Sequence, residues 1–131
     1  MSTITTSLYT YLAADGGITA LASTRIYPVV IPQNPTFPLI TYQVVSTPVL
    51  HTLDGTSAPN SRIQIDCWAE TALAAHGLAD AVETALDNYS GTMNSADVVS
   101  GSLLINRQDI FEEDVEDYRV LLEFSLIHKP V

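Results

Sequence analysis

The spacing of apolar residues predicts two helices. The first is N-terminal, and the second covers residues 70–89, where an apolar stripe runs opposite a polar side. Glycines at 16–17 and at 91 end the two helices, because glycine readily takes positive φ. Residues 18–22 add one short turn. The N-terminal stripe comprises Ile4, Leu8, Tyr11 and Leu12, and the longer stripe comprises Leu73, Gly77, Leu78, Ala81, Val82, Ala85, Leu86 and Tyr89.

Five segments have the composition of β-strands. Pro28 and Pro32 reduce the first of them to an edge or irregular strand, because proline donates no hydrogen bond to a sheet. Alternation is clearest in residues 62–69, which place Cys67 and Trp68 on opposite faces. The predicted strands are residues 25–31, 39–46, 62–69, 98–109 and 118–128, with an acidic turn over 112–117 before the last.

Helices packed on one side of hairpin-joined strands indicate an α+β fold rather than a parallel doubly wound sheet. The length of 131 residues is typical of one domain, so we expect a single domain over residues 1–131. Its sheet is mostly antiparallel with about five strands. The long helix of residues 70–89 and the N-terminal helix pack on this sheet, and a hairpin of residues 47–61 projects from it.

The connection over residues 47–61 is long for a hairpin and contains the apolar residues Val49, Leu50 and Leu53. Connections of this length inside a compact domain are usually functional or disordered, and this one is too apolar for disorder. Two interpretations stay open. The leucines pack back onto their own sheet, or the hairpin projects and buries them on a neighbouring subunit.

The charge of the chain is strongly acidic. Five Lys and Arg residues against fifteen Asp and Glu give a formal net charge of −10 at pH 7. So few basic residues exclude sequence-independent nucleic-acid binding and docking to an anionic membrane. The acidity serves solubility alone, or it suits a protein that lets DNA pass without gripping it. No secretory signal or membrane span is predicted, and the single Cys67 fits a reducing cytoplasm.

The sequence predicts no catalytic residues, no metal site and no cofactor. It contains neither a nucleophile elbow nor a phosphate-binding loop, and alternation places Cys67 in the core. His76 and Asp80 have the spacing of two metal ligands but no third, so we interpret them as an exposed polar pair. The carboxylates of residues 109–117 do not match a calcium-binding loop and are interpreted as a solvated turn. An enzyme would require His51 or His76 to meet a nucleophile.

Several segments together resemble the tail-completion, or tail-terminator, proteins of long-tailed bacteriophages. The resemblance follows one order along nearly the whole chain and is loosest between Thr92 and Gln108. The segments are Leu8-Tyr9-Thr10-Tyr11-Leu12, Ala20-Leu21-Ala22, Arg25-Ile26-Tyr27-Pro28, Pro38-Leu39-Ile40-Thr41-Tyr42, His51-Thr52-Leu53-Asp54-Gly55, Arg62-Ile63-Gln64-Ile65-Asp66-Cys67-Trp68-Ala69 before an Ala-rich helix, and Tyr118-Arg119-Val120 with Phe124.

This resemblance implies a structural protein of the virion with no catalytic residues and no cofactor. Proteins of this kind form an oligomeric ring, typically a hexamer, that caps the tail tube and contributes to head–tail joining. The implied partners are further copies of the chain, the tail tube protein and the head connector protein. DNA passes through the ring without specific binding, and no membrane is involved. The implied location is the head–tail interface of the virion, and the host cytoplasm during assembly.

A closed ring requires one patch of each subunit to contact a different patch of the next. We expect the 47–61 hairpin to supply one patch and the outer face of residues 62–69 to supply the other. The acidic turn then faces the channel. The expected interface residues are Val49, Leu50, His51, Leu53, Asp54 and Trp68, and the expected channel-lining residues are Glu112, Glu113, Asp114, Glu116 and Asp117.

Two other functions stay open at the level of the sequence. A head-side neck or connector adaptor would share the same composition and would also belong to the virion. A generic acidic protein-binding module would instead be a stable monomer with no tendency to form rings. Oligomeric state and the effect of losing the protein on tail length separate these alternatives.

Overall fold

The computed structural model describes residues 4–47, 60–113 and 117–130. Over these residues the chain forms three helices and six strands. In chain order they are α1 (Ile4–Ala14), α2 (Gly16–Ala22), β1 (Ile26–Pro28), β2 (Leu39–Ser46), β3 (Asn60–Ala69), α3 (Ala72–Leu86), β4 (Gly91–Met93), β5 (Asp97–Glu112) and β6 (Asp117–Pro130).

All six strands form one sheet in the order β1-β2-β3-β6-β5-β4. Neighbouring strands are antiparallel except β1 and β2, which are parallel. The α+β class and the mostly antiparallel sheet are therefore confirmed, whereas the count of about five strands is wrong. The missed strand, β4, has only three residues and is too short to show an apolar alternation.

Strand β1 lies at the edge of the sheet, as its prolines predict. It covers only part of the predicted 25–31 segment. Val29, the residue after Pro28, has a positive φ of 63°, which interrupts the extended backbone. Its N–H still donates to the carbonyl of Tyr42 at 2.9 Å, so the chain stays beside β2 for one more residue.

One face of the sheet packs against the helices and forms the core. Alternate residues of β3 and β6 point to this face, as the alternation predicts. Their apolar members, each at most 1 % exposed, are Ile63, Ile65, Cys67, Ala69, Val120, Leu122, Phe124 and Leu126. From the helices, the core includes Ile4, Leu8, Leu12, Ile18, Leu78, Val82 and Leu86.

Helix α3 is shorter than the predicted 70–89 segment at both ends. At its start, the Thr71 hydroxyl accepts a hydrogen bond from the N–H of Ala74 at 3.2 Å and caps the helix. At its end, Asp87 Oδ1 accepts a hydrogen bond from the N–H of Leu104 at 3.1 Å. The N–H of Asn88 also donates to a β5 carbonyl, at 2.7 Å. The chain leaves the helix here because these groups bind β5.

Leu73, the first residue of the predicted apolar stripe, is not part of the core, whereas Tyr89, the last, packs against it. Leu73 is 85 % exposed, so the buried face of α3 begins at Ala75 instead. Tyr89 follows the end of the helix, and its ring centroid lies 4.5 Å from that of Tyr11. The hydroxyl of Tyr11 donates to the carbonyl of Ala85 at 2.6 Å, which joins α1 to α3.

Gly16 and Gly17 begin a helix rather than end one. Asp15 follows α1 directly, and its Oδ1 accepts a hydrogen bond from the N–H of Ile18 at 3.0 Å. This N-cap starts α2, so the short turn predicted over 18–22 is a seven-residue helix.

The opposite face of the sheet carries no helix and is called the helix-free face below. Gln64, Asp66 and Trp68 of β3 point to it, beside Arg119 and Glu123 of β6. One corner of this face is nevertheless covered. Leu39 and Thr41 of β2 point the same way and are buried, and the chain that follows β1 lines this corner.

Strands β5 and β6 form a long hairpin with two irregularities in β5, between Val99 and Gly101 and between Leu104 and Asn106. Near the turn, Glu112 pairs in register with Asp117. The acidic turn predicted over 112–117 is therefore too long, because both of its terminal residues belong to strands.

Candidate functional site

The predicted interface hairpin falls almost wholly outside the described residues. Val49, Leu50, His51, Leu53 and Asp54 all lie within residues 48–59, which the structure does not describe. Thr47, which precedes this segment, contacts Ser61, the second residue after it. The hydroxyls of Thr47 and Ser61 are 3.0 Å apart and hydrogen-bonded, so the segment starts and ends at one place, beside β2 and β3.

Trp68, the remaining predicted interface residue, lies on the helix-free face opposite Cys67, as predicted. Its indole N–H donates to the hydroxyl of Thr41 at 3.1 Å. The guanidinium carbon of Arg119 lies 5.1 Å from the ring centroid, a distance typical of a cation–π contact. Trp68 is therefore held in place by β2 and β6 and is only partly exposed.

A cluster of charged side chains surrounds Trp68. Arg119 Nη2 lies 3.3 Å from Glu112 Oε1, and Arg119 Nε lies 3.8 Å from Asp66 Oδ1. Gln64 Nε2 donates to Asp66 Oδ2 at 2.9 Å. Burial raises the pKa of the Asp66 carboxyl, and the hydrogen bonds from Gln64 and Thr41 and the charge of Arg119 only partly oppose this rise.

The structure describes three of the five predicted channel residues. Glu112, Glu113 and Asp117 lie at the turn end of the β5–β6 hairpin, whereas Asp114 and Glu116 lie outside the described residues. Glu113 is exposed. The pKa of Asp117 is raised, mainly by burial and also by the neighbouring negative charge of Glu70. The described members therefore share one end of the molecule.

A groove of about 290 Å³ lies at the same end, between the start of α3 and the β5–β6 hairpin. Its walls include Phe111 and Tyr118, whose ring centroids are 4.9 Å apart and which are 47 % and 37 % exposed. His76 Nε2 lies 3.1 Å from Asp109 Oδ2 in this groove. Apolar spacing along the chain does not indicate this surface, because it forms between segments that are far apart in the chain.

His76 and Asp80, considered above as two metal ligands, bind different partners. His76 contacts Asp109, whereas Asp80 Oδ1 accepts a hydrogen bond from Arg107 Nη1 at 2.9 Å. In the described part of the chain, no three His, Cys, Asp or Glu side chains are grouped to hold a metal ion. Nor is any described helix long and apolar enough to span a membrane.

A buried polar group lies on the core side of the sheet and was not predicted. Ser61 Oγ is 2.6 Å from His128 Nε2, and Ser7 Oγ donates to Asp97 Oδ2 at 2.5 Å. Ser61, His128 and Asp97 are the residue types of a hydrolase triad. Here they are at most 3 % exposed, and His128 Nδ1 has no hydrogen-bond partner among the described residues. The geometry gives a substrate no access to Ser61.

Comparison with known proteins gives a family match and structural matches. The chain matches the family described as tail completion protein gp17 over residues 6–129. No curated protein is significantly similar to it. Among solved structures, a chain from the virion of a native gene transfer agent particle is similar with a TM-score of 0.71 and 20 % sequence identity, over 92 % of this chain and 90 % of that chain.

At 20 % identity the structural likeness shows the fold alone. The family match is stronger evidence, because it extends from α1 into β6 as far as residue 129 and so covers residues of every described strand. The chain therefore belongs to the tail completion protein gp17 family, a family of structural proteins of the phage tail.

Proposed function

We propose that this protein forms an oligomeric ring, a hexamer in the virion, that caps the tail tube and contributes to head–tail joining around the DNA channel. Membership of the tail completion family supports the place in the tail. The similar chain in a gene transfer agent virion supports assembly with other virion proteins. The proposed partners are neighbouring copies, the tail tube protein and the head connector protein.

The observation that carries the ring is the helix-free face. A sheet face without a covering layer is usually polar, but this one exposes Leu103 and Ile127, which are 54 % and 40 % exposed. Trp68 lies on the same face. Leu103 and Ile127 lie near one end of this face and Trp68 near the other, and exposed apolar residues on a sheet face favour binding to another protein.

The hairpin of residues 47–61 supplies the second half of the subunit contact in this proposal. Its terminal residues Thr47 and Ser61 are hydrogen-bonded to each other at the end of the β2–β3 pair. Val49, Leu50 and Leu53 give it the apolar character of an interface, with His51 and Asp54 beside them. Contact of this segment with the next copy is the heterologous arrangement that a ring needs.

The channel lining in this proposal is acidic. A net charge of −10 in each of six copies gives −60 for the ring, which repels the phosphates of passing DNA. Glu112, Glu113 and Asp117 lie at the turn end of the β5–β6 hairpin, so one orientation of the subunit turns all three towards the lumen. Asp114 and Glu116 complete the proposed set.

Light scattering on the purified protein across a concentration series tests the ring. A species near six times 14.2 kDa supports it, and a monomer at every concentration, alone and with tail tube protein, contradicts it. Electron microscopy of particles made without this protein tests its place. Over-long tails indicate a terminator, whereas tails of normal length that lack heads indicate a head-side adaptor.

A further inference from the structure

Asp66 is buried in a way that leaves one of its oxygens without a donor. The residue is 7 % exposed, and Oδ1 has no hydrogen-bond partner in the described part of the chain. Arg119 Nε, at 3.8 Å, is too far for a hydrogen bond and itself lacks an acceptor. A buried acceptor left in this state costs about 1–3 kcal/mol, so the donors of this chain do not fully satisfy the Asp66 carboxylate.

The charges around Asp66 do not balance within the chain. Asp66 and Glu112 are the two carboxylates that contact Arg119, and one guanidinium cannot neutralise both. The cluster therefore keeps one negative charge in excess. A group that brings both N–H donors and a positive charge would complete it.

Asp66 lines a pocket of about 170 Å³ on the helix-free face. Val29, Ile31 and Trp68 give the pocket apolar walls, while Gln64 and Asp66 give it polar ones. A lysine side chain suits such a site, because its methylene groups pack on apolar surface while its ammonium group donates three hydrogen bonds.

Among the lysine and arginine residues of the chain, Lys129 is the candidate to bind this pocket. It is exposed and makes no ion pair with any described residue. The other four cations are already engaged: Arg25 with the carbonyls of Leu21 and Pro38, Arg62 with Glu123, Arg107 with Asp80 and Glu83, and Arg119 with Asp66 and Glu112.

Lys129 lies on the helix-free face but cannot reach the pocket of its own chain. It follows Arg119 by ten residues along β6, so the two share a face and are separated by about 33 Å. The chain thus has an acidic pocket near one end of a strand and an unpaired ammonium group near the other. That is the placement needed for head-to-tail contact between copies.

We propose that the Asp66 pocket binds the Lys129 ammonium group of a neighbouring copy of this chain. The proposal rests on the ring and names one polar contact within its subunit interface. The neighbour's ammonium group enters the pocket that Asp66 lines, pairs with its carboxylate and neutralises the excess charge of the cluster. Each copy gives one lysine and receives one, so the contact repeats around a closed ring.

The first test is of the pocket alone, with n-butylammonium chloride as the probe. Trp68 is the only tryptophan of the chain, so its fluorescence reports directly on the site. We expect n-butylammonium to change the Trp68 fluorescence of the full chain saturably at constant ionic strength. The uncharged n-butanol should cause no such change, and Asp66→Asn should abolish the response to n-butylammonium. An unsaturable response, or equal responses in the wild type and Asp66→Asn, overturns the cation site.

The second test is the double-mutant cycle on self-association, measured by sedimentation velocity. Lys129→Gln and Asp66→Asn should each weaken association about tenfold or more, and the double variant no further than either single. Lys129→Arg keeps the charge and should retain association. Glu70→Gln is the matched control, because it removes one exposed charge outside the pocket and should change nothing.

The outcomes separate this pairing from the ring itself. If the wild type forms a ring and Lys129→Gln forms it equally well, the pairing is wrong and the ring stands. If the two single effects add, the residues do not contact each other and the pairing is wrong. If the wild type stays monomeric at every concentration and with tail tube protein, both the ring and the pairing are overturned, while the n-butylammonium titration still decides the pocket.

Discussion

Ser61 and His128 are hydrogen-bonded across β3 and β6 at 2.6 Å, and both side chains are buried on the core side of the sheet. Burial lowers the pKa of His128, and the nearby charge of Asp97 opposes this only in part. The imidazole is therefore held in its neutral form in the folded protein.

Acid should destabilise the protein through His128. The unfolded chain binds a proton at this imidazole more readily than the folded chain does, so stability is full above about pH 6.5 and falls as the pH drops towards the lowered pKa. We expect the melting temperature to fall over this range by circular dichroism. His128→Gln keeps a donor for Ser61 but does not titrate, and should flatten the slope. An unchanged slope in His128→Gln contradicts the assignment.

The same substitution at two leucines of α3 should change the stability of the protein by very different amounts. Leu78 is fully buried, so Leu78→Asp places a charge in the core and should cost more than about 3 kcal/mol, enough to unfold the domain. Val82→Asp should also unfold the domain, because Val82 is equally buried. Leu73 lies in the same helix but is exposed, so Leu73→Asp should change stability by less than about 0.5 kcal/mol. Urea unfolding measures all three, and equal effects at Leu73 and Leu78 would be inconsistent with the orientation of α3.

Leu50→Asp and Leu53→Asp should leave the domain folded and abolish ring formation. The reason is that an aspartate in a subunit interface removes apolar contact and adds a charge that must be desolvated. Circular dichroism checks the fold, and light scattering checks the mass. Leu21→Asp is the control, since Leu21 is exposed on the helix side and lies outside the proposed contact. Loss of the fold in the two hairpin variants would mean that these leucines belong to the core.

Cys67 should be unreactive until the protein unfolds. Its side chain is fully buried, and burial raises the pKa of the thiol, which suppresses the reactive thiolate. A thiol-reactive dye should label the native protein slowly, at the rate at which the core opens, and label it completely in denaturant. Cys67→Ser sets the background. Rapid and complete labelling under native conditions would place this residue outside the core.

The sequence predicts most of the sheet because burial on one face imposes a period of two. Cys67 and Trp68 are correctly placed on opposite faces for this reason. Helix ends are less predictable, because they depend on single hydrogen bonds. Thr71 caps α3 and Asp87 binds β5, and neither contact is implied by apolar spacing.

The site is less predictable than the fold because its members come from distant parts of the chain. Asp66 meets Arg119 only through the register of β3 against β6, and Ser61 meets His128 in the same way. A sequence pattern identifies residues within one element but not which strands become neighbours. The tail completion family was still found from the sequence, because its resemblance is spread over many short segments rather than over one site.

The contact between Thr47 and Ser61 has an evolutionary consequence. Because it joins β2 to β3 beside residues 48–59, the sheet can keep its register whatever those twelve residues are. Doubling the length of such a loop costs only about 0.6 kcal/mol in closure entropy. A related phage could therefore replace this segment as a cassette, adapting it to a new neighbour while the rest of the subunit folds as before.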